Sequence, residues 1–592
     1  MQLTDEQKAV CESGGRVVRV LAYAGTGKTS TLVEWAKSRP RLRILYLAFN
    51  KSVQEEASRR FPGHVTARTS HALAFAAVGG AYAHKLGNVL PYHLERAMRF
   101  NWVAPRVRRY YVRLVLVTLM AYWSYQEDEI SPTMVPLPPK DRLGMFSAIS
   151  ADHIARDAQR AWQRMKDLSD PEIKMSHDGY LKLYALSRPK LPYDAILFDE
   201  AQDANPITLQ LVLNQNHAQI VFVGDPWQAI YGFRGAVNAM TGIVADRTHR
   251  LTGSFRFGEN IGRVATQLLR WRRMSVPPLR GLARDPGMVR ASATGVIPEA
   301  VITRTNAGLF EEAVRALSAY PQAHLGFVGG IGGHQFDQLE SVYRLWARQP
   351  VPDPFIGLFP SFDHLAAYAD EVGDAQITLR CRLVKQYGNH LPHWLKRIQA
   401  ASVPSGSAPI VLSTTHKAKG LEFDTVRVGG DFLDLAEDRR RWIEWKSAPP
   451  GAGKAQLAKQ LAPQQELNLL YVAVTRARKQ LVLPPATARI LFPARSQRTQ
   501  PPKPVAARAI PGPLSEPVKA PSPPAADPQH TAMPGPEAAF VHCPQAASQS
   551  AIAPRYLGVC QACEHHGGVQ NGAVKCQWAK NPVPIIHLGF HT

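Results

Sequence analysis

Short apolar runs alternate with longer amphipathic stretches along most of the chain, as far as about Pro484. Val17–Ala22, Ile44–Ala48, Ala195–Phe198, Gln219–Gly224, Val296–Thr303, Pro409–Thr414 and Thr425–Gly429 have the length and apolar character of strands. Such alternation predicts an α/β chain in which helices are layered on parallel sheets. From Ser70 to Arg188 the pattern turns mainly helical and rich in Arg and aromatics, and from about Ala307 to Ser407 it is irregular to helical. Both blocks read as insertions into two α/β cores. Past Pro485 the periodicity stops. About a third of the residues from Pro501 to Pro536 are proline, mixed with Ala and Ser. That composition buries too little apolar surface to order itself and predicts an extended, flexible linker. It leads to a small terminal module, Phe540–Thr592.

The first strand runs into Ala22–Thr29, AYAGTGKT, followed by the helix-forming Ser30–Lys37. A strand, a Gly-rich turn, Lys-Thr and a helix form the arrangement of a phosphate-binding loop. Backbone N–H groups across Ala24, Gly25, Thr26, Gly27, Lys28 and Thr29 would wrap phosphates where the helix dipole favours negative charge. Lys28 would reach the β- and γ-phosphates, and the Thr29 hydroxyl would ligate Mg²⁺. Ala22 stands where the usual pattern has its first glycine. A bare Gly-rich strand-to-helix turn would look similar, so the second motif matters. Ala195–Phe198 ends in Asp199-Glu200-Ala201-Gln202-Asp203, which puts one carboxylate in place to hold Mg²⁺ and the next to polarise a water. A later GAGK, Gly451–Lys454, follows Pro449-Pro450 rather than a strand and reads as loop.

Charge narrows the partners. The 592-residue chain carries a formal net charge of +23 and a pI near 9.8, which attracts polyanions, nucleic acid foremost. Hydrophobic residues at 45% and charged residues at 20% fit a soluble globular protein with several cores. The polar start MQLTDEQKAV lacks a signal-like apolar segment, and Leu114–Trp123 is too short to span a bilayer. The expectation is a cytoplasmic protein with no membrane partner. Cys11 and Cys381 stand alone and read as reduced thiols.

Further segments follow in order: Gln7 in LTDEQKAV, Val223–Ala236 (VGDPWQAIYGFRGA), Leu251–Phe257 (LTGSFRF), Ile302–Asn306 (ITRTN), Leu412–Asp424 (LSTTHKAKGLEFD) and Glu466–Arg478 (ELNLLYVAVTRAR). This series resembles the UvrD/Rep-type helicases of superfamily 1, over nearly everything from Gln2 to about Leu483. Ala48–Ala57 (AFNKSVQEEA), Met175–Leu186 (MSHDGYLKLYAL) and Leu119–Pro136 bring it nearest to the F-box DNA helicase branch, although no F-box is visible. The resemblance implies two RecA-like P-loop NTPase cores. Residues 1–70 and 171–247 would form the first core and 71–170 its helical insertion. Residues 248–310 and 408–485 would form the second core and 311–407 a short insertion. Residues 486–539 would be the linker and 540–592 a cysteine-bearing module.

The resemblance also implies roles. Gln7 would read the adenine edge and Glu422 contact the nucleotide sugar, while Gln228 senses the γ-phosphate. Arg256 and Arg476 would project toward ATP, always charged and able to grip phosphate bidentately. Asp199 would hold Mg²⁺ with Thr29, and Glu200 would activate the attacking water. Single-stranded DNA, including junctions with duplex, would stack its bases on Tyr231 and Phe233. Arg234, Thr415, His416, Asn50 and His71 would contact the backbone. The implied activity is an ATP-dependent, 3′→5′ DNA helicase and translocase in repair or recombination control. Stripping proteins such as recombinase filaments from DNA, recruitment through the tail, and an RNA track remain open alternatives.

Two departures from the family pattern bear on base stacking. The first DNA motif reads AFNKS, which shifts Phe49 by one position, and the next reads Thr69-Ser70-His71. Trp102–Arg113 (WVAPRVRRYYVR) interleaves Arg with Trp and Tyr, which suits either a strand-contacting surface or a helix with its aromatics in the core. Near the C-terminus, Cys560 and Cys563 have knuckle spacing, with Cys543 and Cys576 to complete a tetrahedral site. Structural Zn²⁺ is the first reading of that set, metal-free cysteines the second and an Fe–S cluster the third.

Overall fold

The computed structural model describes residues 2–103, 105–136, 150–232, 238–272, 276–292, 295–353, 355–372, 374–448 and 463–492, with three short strands at His566–Gln570, Ala573–Cys576 and Val583–Pro584. Phe233, Arg234, the GAGK segment and Cys543, Cys560 and Cys563 lie outside the described residues. Cys576 ends the middle strand of the small antiparallel sheet. Two compact units emerge, Met1–Arg256 with Ser275–Ala283 and Gln549–Thr592, and Phe257–Met274 with Arg284–Ser548.

The first unit is built on six parallel strands: β1 (Val17–Ala22), β2 (Ile44–Ala48), β3 (Val65–Thr69), β4 (Ala195–Phe198), β5 (Gln219–Gly224) and β6 (Arg247–Leu251), in the order β3-β2-β4-β5-β1-β6. The central four match their sequence-predicted bounds, because apolar side chains bury both faces. The edge strands β3 and β6 carry mixed polar residues (VTART, RTHRL) and are half-exposed, so no apolar run marks them. β6 corrects an expected boundary: a division between residues 247 and 248 would cut a strand that pairs residue by residue with β1. On one face of this sheet Trp35, Val18, Val20, Ile44 and Tyr46 are buried together. A two-residue pair, β7 (Gly253–Ser254) with β8 (Arg280–Gly281), completes the unit's parallel strands.

Between β3 and β4 the expected helical block is present, in helices Ser70–Ala77, Pro91–Met98, Pro105–Ser124, Ala151–Lys166 and His177–Leu186. Two buried lysines tie it together. Lys182 Nζ donates to the carbonyls of Tyr125 (2.7 Å) and Glu127 (2.6 Å), past the end of the longest helix, and lies over the Tyr122 ring. Burial pulls its amine down to about 8. Lys85 does the same for the carbonyls of Asp167 (2.6 Å) and Arg164 (3.2 Å). In the Arg-aromatic block, Tyr111 points inward and donates to Asp157 Oδ2 (2.6 Å), whereas Trp102 is exposed with its edge against Tyr111.

The second unit holds seven parallel strands: β9 (Met288–Arg290), β10 (Ala300–Thr303), β11 (Leu325–Phe327), β12 (Ser402–Val403), β13 (Ile410–Thr414), β14 (Phe423–Val428) and β15 (Ala477–Val482). Their order is β12-β11-β13-β10-β14-β15-β9. The predicted Val296–Thr303 strand begins only at Ala300; Pro298 has no N–H to give a ladder. The block expected as an insertion, 311–407, supplies β11 and β12 to this sheet. Its helices bury Val342, Leu365, Leu383, Leu391 and Ile398 in one core with Phe310 and Leu412. Those residues are therefore part of the second core. Pro485–Leu491 is helical, which carries ordered chain past the expected linker start. No helix among the described residues is long and apolar enough to cross a membrane.

After β10 the chain turns into the helix Asn306–Ala319, and Asp431 sits at that turn. Its carboxylate accepts from Arg304 N (2.9 Å), Thr305 N (2.8 Å) and Thr305 Oγ1 (2.8 Å). Near β11, His334 is fully buried, its Nε2 3.1 Å from the Val328 carbonyl and its Nδ1 3.2 Å from Asn306 Oδ1. Burial first, then the nearby Lys417 ammonium, push its imidazole down to about 4. The folded protein thus resists a proton that the unfolded chain accepts below its ordinary pKa of about 6.5. Stability of the second unit should fall as pH drops from about 6.5 toward 4, by on the order of 2 kcal/mol from this group. Chemical unfolding at pH 7, 5.5 and 4.5 should show the fall, and His334→Gln should flatten it.

Candidate functional site

β1 ends at Ala22, and the turn that follows needs two glycines in the left-handed region, Gly25 at φ 72° and Gly27 at φ 75°. A Cβ on Gly25 would come within 2.5 Å of Ser254 Oγ and 2.6 Å of Arg256 Cβ. Thr26 Oγ1 closes the turn onto the Tyr23 carbonyl at 2.9 Å. The helix Lys28–Lys37 begins at once, and no side chain caps it. Its first amides are therefore left for an anion from elsewhere.

Around that helix start the side chains form a connected set. Thr29 Oγ1 donates to Asp199 Oδ2 (3.1 Å), and the Tyr46 hydroxyl donates to the same oxygen (2.8 Å). Glu200 N donates to Asp199 Oδ1 (2.9 Å). Asp199 is buried at the end of β4; burial and the adjacent Glu200 charge raise its carboxyl above the usual range. Glu200 itself adopts φ 52°, a conformation rare outside glycine, and pairs with Lys28 Nζ at 3.1 Å. Gln202 Nε2 donates to Glu200 Oε2 (2.6 Å) and Asp203 Oδ2 (3.2 Å), while its Oε1 accepts from Asp225 N (3.0 Å). Asp225 Oδ2 in turn accepts from Gln228 Nε2 (2.7 Å). Lys28, Glu200, Gln202, Asp225 and Gln228 thus form one line of contacts. The Thr29 hydroxyl and Asp199 carboxylate are hard oxygen donors of the kind Mg²⁺ takes.

Gln7 lies beside the same loop. It closes a capping box with Thr4, and its Nε2 reaches the Thr26 carbonyl at 3.4 Å. The Phe255 ring, 43% exposed, faces the same glycine: a Cβ on Gly27 would be 2.9 Å from Gln7 Nε2 and 3.6 Å from that ring. Glu6 pins the segment carrying Phe255 and Arg256 through Thr252 N (2.7 Å) and Thr252 Oγ1 (2.6 Å). In LTGSFRF Arg256 stands out by residue type, whereas Phe255 has no signal beyond being an aromatic next to that arginine. Tyr46 was hidden too, as one residue of an apolar strand.

In the second unit Arg476 is buried, with Nε on the Val472 carbonyl (3.0 Å) and Nη1 on the Leu421 carbonyl (3.3 Å). Glu422 follows Leu421 and is exposed. Of the expected DNA contacts there, Thr415 is fully buried and donates inward to the Thr303 carbonyl (3.2 Å), and His416 is half-buried. In the first unit Phe49, 39% exposed, stacks on Tyr231 with ring centroids 5.7 Å apart and planes at 20°. The one-position shift in its motif leaves Phe49 paired with the expected stacking residue. Asn50 caps the helix Lys51–Arg60 by accepting from Val53 N (2.9 Å). His71 Nε2 lies 3.1 Å from Asp178 Oδ1, with its ring edge-on to Tyr180.

Comparison with known proteins gives matches in both units. Residues 159–244 match the UvrD/REP helicase N-terminal domain and residues 393–486 the UvrD-like helicase C-terminal domain. The chain is 32% identical over 512 residues to F-box DNA helicase 1 of Gallus gallus, covering 82% of this chain and 49% of that protein. It is 31% identical over 523 residues to F-box DNA helicase protein 1 of Schizosaccharomyces pombe, covering 81% of this chain and 57% of that one. DNA helicase IV of Escherichia coli is 26% identical over 321 residues, 45% of this chain and 47% of its own length. The chain thus spans about half the length of the curated relatives it matches.

Tyr46→Phe deletes one of the two side-chain donors to Asp199 Oδ2 while keeping the ring in the core. Losing a bond to a charged acceptor of this kind is worth about 1.5–3 kcal/mol. Titration of a fluorescent ATP analogue should then need at least tenfold more Mg²⁺ for half-maximal binding, and an unchanged midpoint would remove Tyr46 from the site.

Proposed function

The chain belongs to the UvrD-like helicases of superfamily 1, and from that membership we propose that it is an ATP-dependent DNA helicase and translocase, moving 3′→5′ on single-stranded DNA in repair or recombination control. The observation that carries the proposal is the contact line from Lys28 through Glu200 to Gln228 beside an uncapped helix start. Its Lys28, Glu200 and Gln228 have the residue types that phosphoryl transfer to water uses.

In this reading the phosphates of ATP lie on the amides of Gly25–Thr29, with Lys28 on the β- and γ-phosphates. Mg²⁺, held by Thr29 and Asp199, supplies charge neutralisation. Glu200 takes a proton from the attacking water. Its left-handed backbone and its bond from Gln202 hold that carboxylate in one orientation. Gln228 reads the γ-phosphate, and Arg256 and Arg476 balance the charge spread over the transferring group. Phe255 offers a ring face to the base beside Gln7, and Glu422 takes the sugar. Bases of the strand stack on the Phe49–Tyr231 pair, with His71, Asn50, Arg234 and His416 toward the backbone. The line Glu200–Gln202–Asp225 also gives the ATP site a mechanical tie to the Tyr231 segment, since Asp225 and Gln228 lie just ahead of it in the chain.

Steady-state ATP hydrolysis should rise strongly with single-stranded DNA and little with RNA, and fall by about 10²–10⁴ in Glu200→Gln with nucleotide binding retained. Duplexes with a 3′ tail should be unwound and those with a 5′ tail should not. Absence of stimulation by any nucleic acid would overturn the reading. Protein displacement without strand separation would narrow it to a stripping translocase.

A further inference from the structure

β6 lies along β1 and β7 lies along β8, so the chain changes pairing partner between Leu251 and Gly253. Thr252 stands at that change and is buried. Its amide goes to a side chain: Glu6 Oε2 accepts from Thr252 N at 2.7 Å, and Glu6 Oε1 accepts from Thr252 Oγ1 at 2.6 Å. A buried N–H that leaves a strand ladder has to find an acceptor elsewhere, and this carboxylate supplies it. The Arg280 guanidinium closes the group, 3.3 Å from Glu6 Oε1 and 3.2 Å from Thr252 Oγ1.

From Thr252 the chain runs directly into the wall of the nucleotide site. Arg280 N donates to the Thr252 carbonyl (2.9 Å), Leu282 N to the Ser254 carbonyl (2.7 Å) and Phe255 N to the Gly25 carbonyl of the phosphate loop (2.8 Å). Arg256 N then donates to Ser254 Oγ (3.3 Å), and Arg256 is the last residue of the first unit before the chain enters the second. A shift of Thr252 therefore reaches Phe255 and Arg256 through four residues of bonded backbone. The holder itself is stiff. Glu6 and Gln7 are consecutive in the helix Asp5–Cys11, whose start is fixed by the capping box of Thr4 and Gln7. Gln7 reaches the Thr26 carbonyl while Glu6 reaches Thr252, so one helical turn carries two separate arms.

We infer that Glu6 is a positioning residue for ATP hydrolysis, holding Phe255 and Arg256 against the phosphate loop through Thr252. The inference rests on the function proposed above, in which Arg256 balances charge on the transferring phosphoryl group. Misplacing such a group by about 1 Å costs on the order of a hundredfold in rate. A carboxylate suits the task because its two oxygens accept from the amide and the hydroxyl of one residue together.

Steady-state hydrolysis by the full chain with saturating single-stranded DNA tests this. Glu6→Ala should lower kcat about ten- to hundredfold, and raise KM for ATP about threefold through Phe255. Glu6→Gln, whose carbonyl can still accept from Thr252 N, should return kcat to within about threefold of wild type. Double-mutant cycles locate the effect: beside Arg256→Lys, Glu6→Ala should cost less than about threefold more, and beside Gln7→Ala it should keep its full factor. Thermal unfolding checks that each variant folds. If Glu6→Ala does not, Thr252→Val, which removes only the hydroxyl, should show a loss of about threefold with the same pattern in both cycles. An effect that vanishes beside Gln7→Ala and persists beside Arg256→Lys would assign Glu6 to base reading and overturn the inference. Wild-type kcat in a folded Glu6→Ala would overturn it too, and either result leaves the helicase reading standing. Absence of DNA-stimulated hydrolysis in wild type would overturn both.

Discussion

A single buried carboxylate organises the first unit. Asp199 must be ionised to take a divalent cation, yet it sits where burial and Glu200 both disfavour its charge. The fold answers with donors: Thr29 and Tyr46 on one oxygen, the Glu200 amide on the other. Those donors come from the helix after β1, from β2 and from the turn after β4, so the sheet order that makes β2 and β4 neighbours is also what makes the carboxylate usable.

The rest of the site radiates from this point by short steps. Glu200 is held on one side by Lys28 and on the other by Gln202, and Gln202 bonds the backbone that precedes Gln228. A Cβ on Gly224 would overlap Gln202 Oε1, so the end of β5 has to be bare for the amide to fit. Movement of any one group is felt by its neighbours within one hydrogen-bond length. Phe49 on Tyr231 stands just beyond the far end, which places a stacked aromatic pair next to the Asp225–Gln228 segment in sequence and within one unit.

Much of this was legible in the sequence, and what was not shares a cause. β1, β2, β4 and β5 announced themselves because burial on both faces demands uninterrupted apolar residues. β3 and β6 did not, since an edge strand tolerates the polar mixtures VTART and RTHRL. Lys28, Thr29, Asp199 and Glu200 stood out because phosphate chemistry restricts residue type and local spacing. Tyr46 reaches Asp199 across 153 residues of sequence, and no local pattern distinguishes it from a core tyrosine. The helices of 311–407 look like an insertion because β11 and β12 are three and two residues long; only pairing reveals that they belong to the second sheet.

Asp431 has a wider meaning. Its carboxylate accepts from the amides of Arg304 and Thr305, just ahead of the helix Asn306–Ala319, and holds the Thr305 hydroxyl that caps that helix through Gly308 N. Both turns join a parallel strand to a helix, and both present a threonine to an aspartate, Thr29 to Asp199 and Thr305 to Asp431. The turn at Asp431 is closed by side chains of its own unit, whereas the turn after β1 leaves the first amides of its helix open to an outside anion.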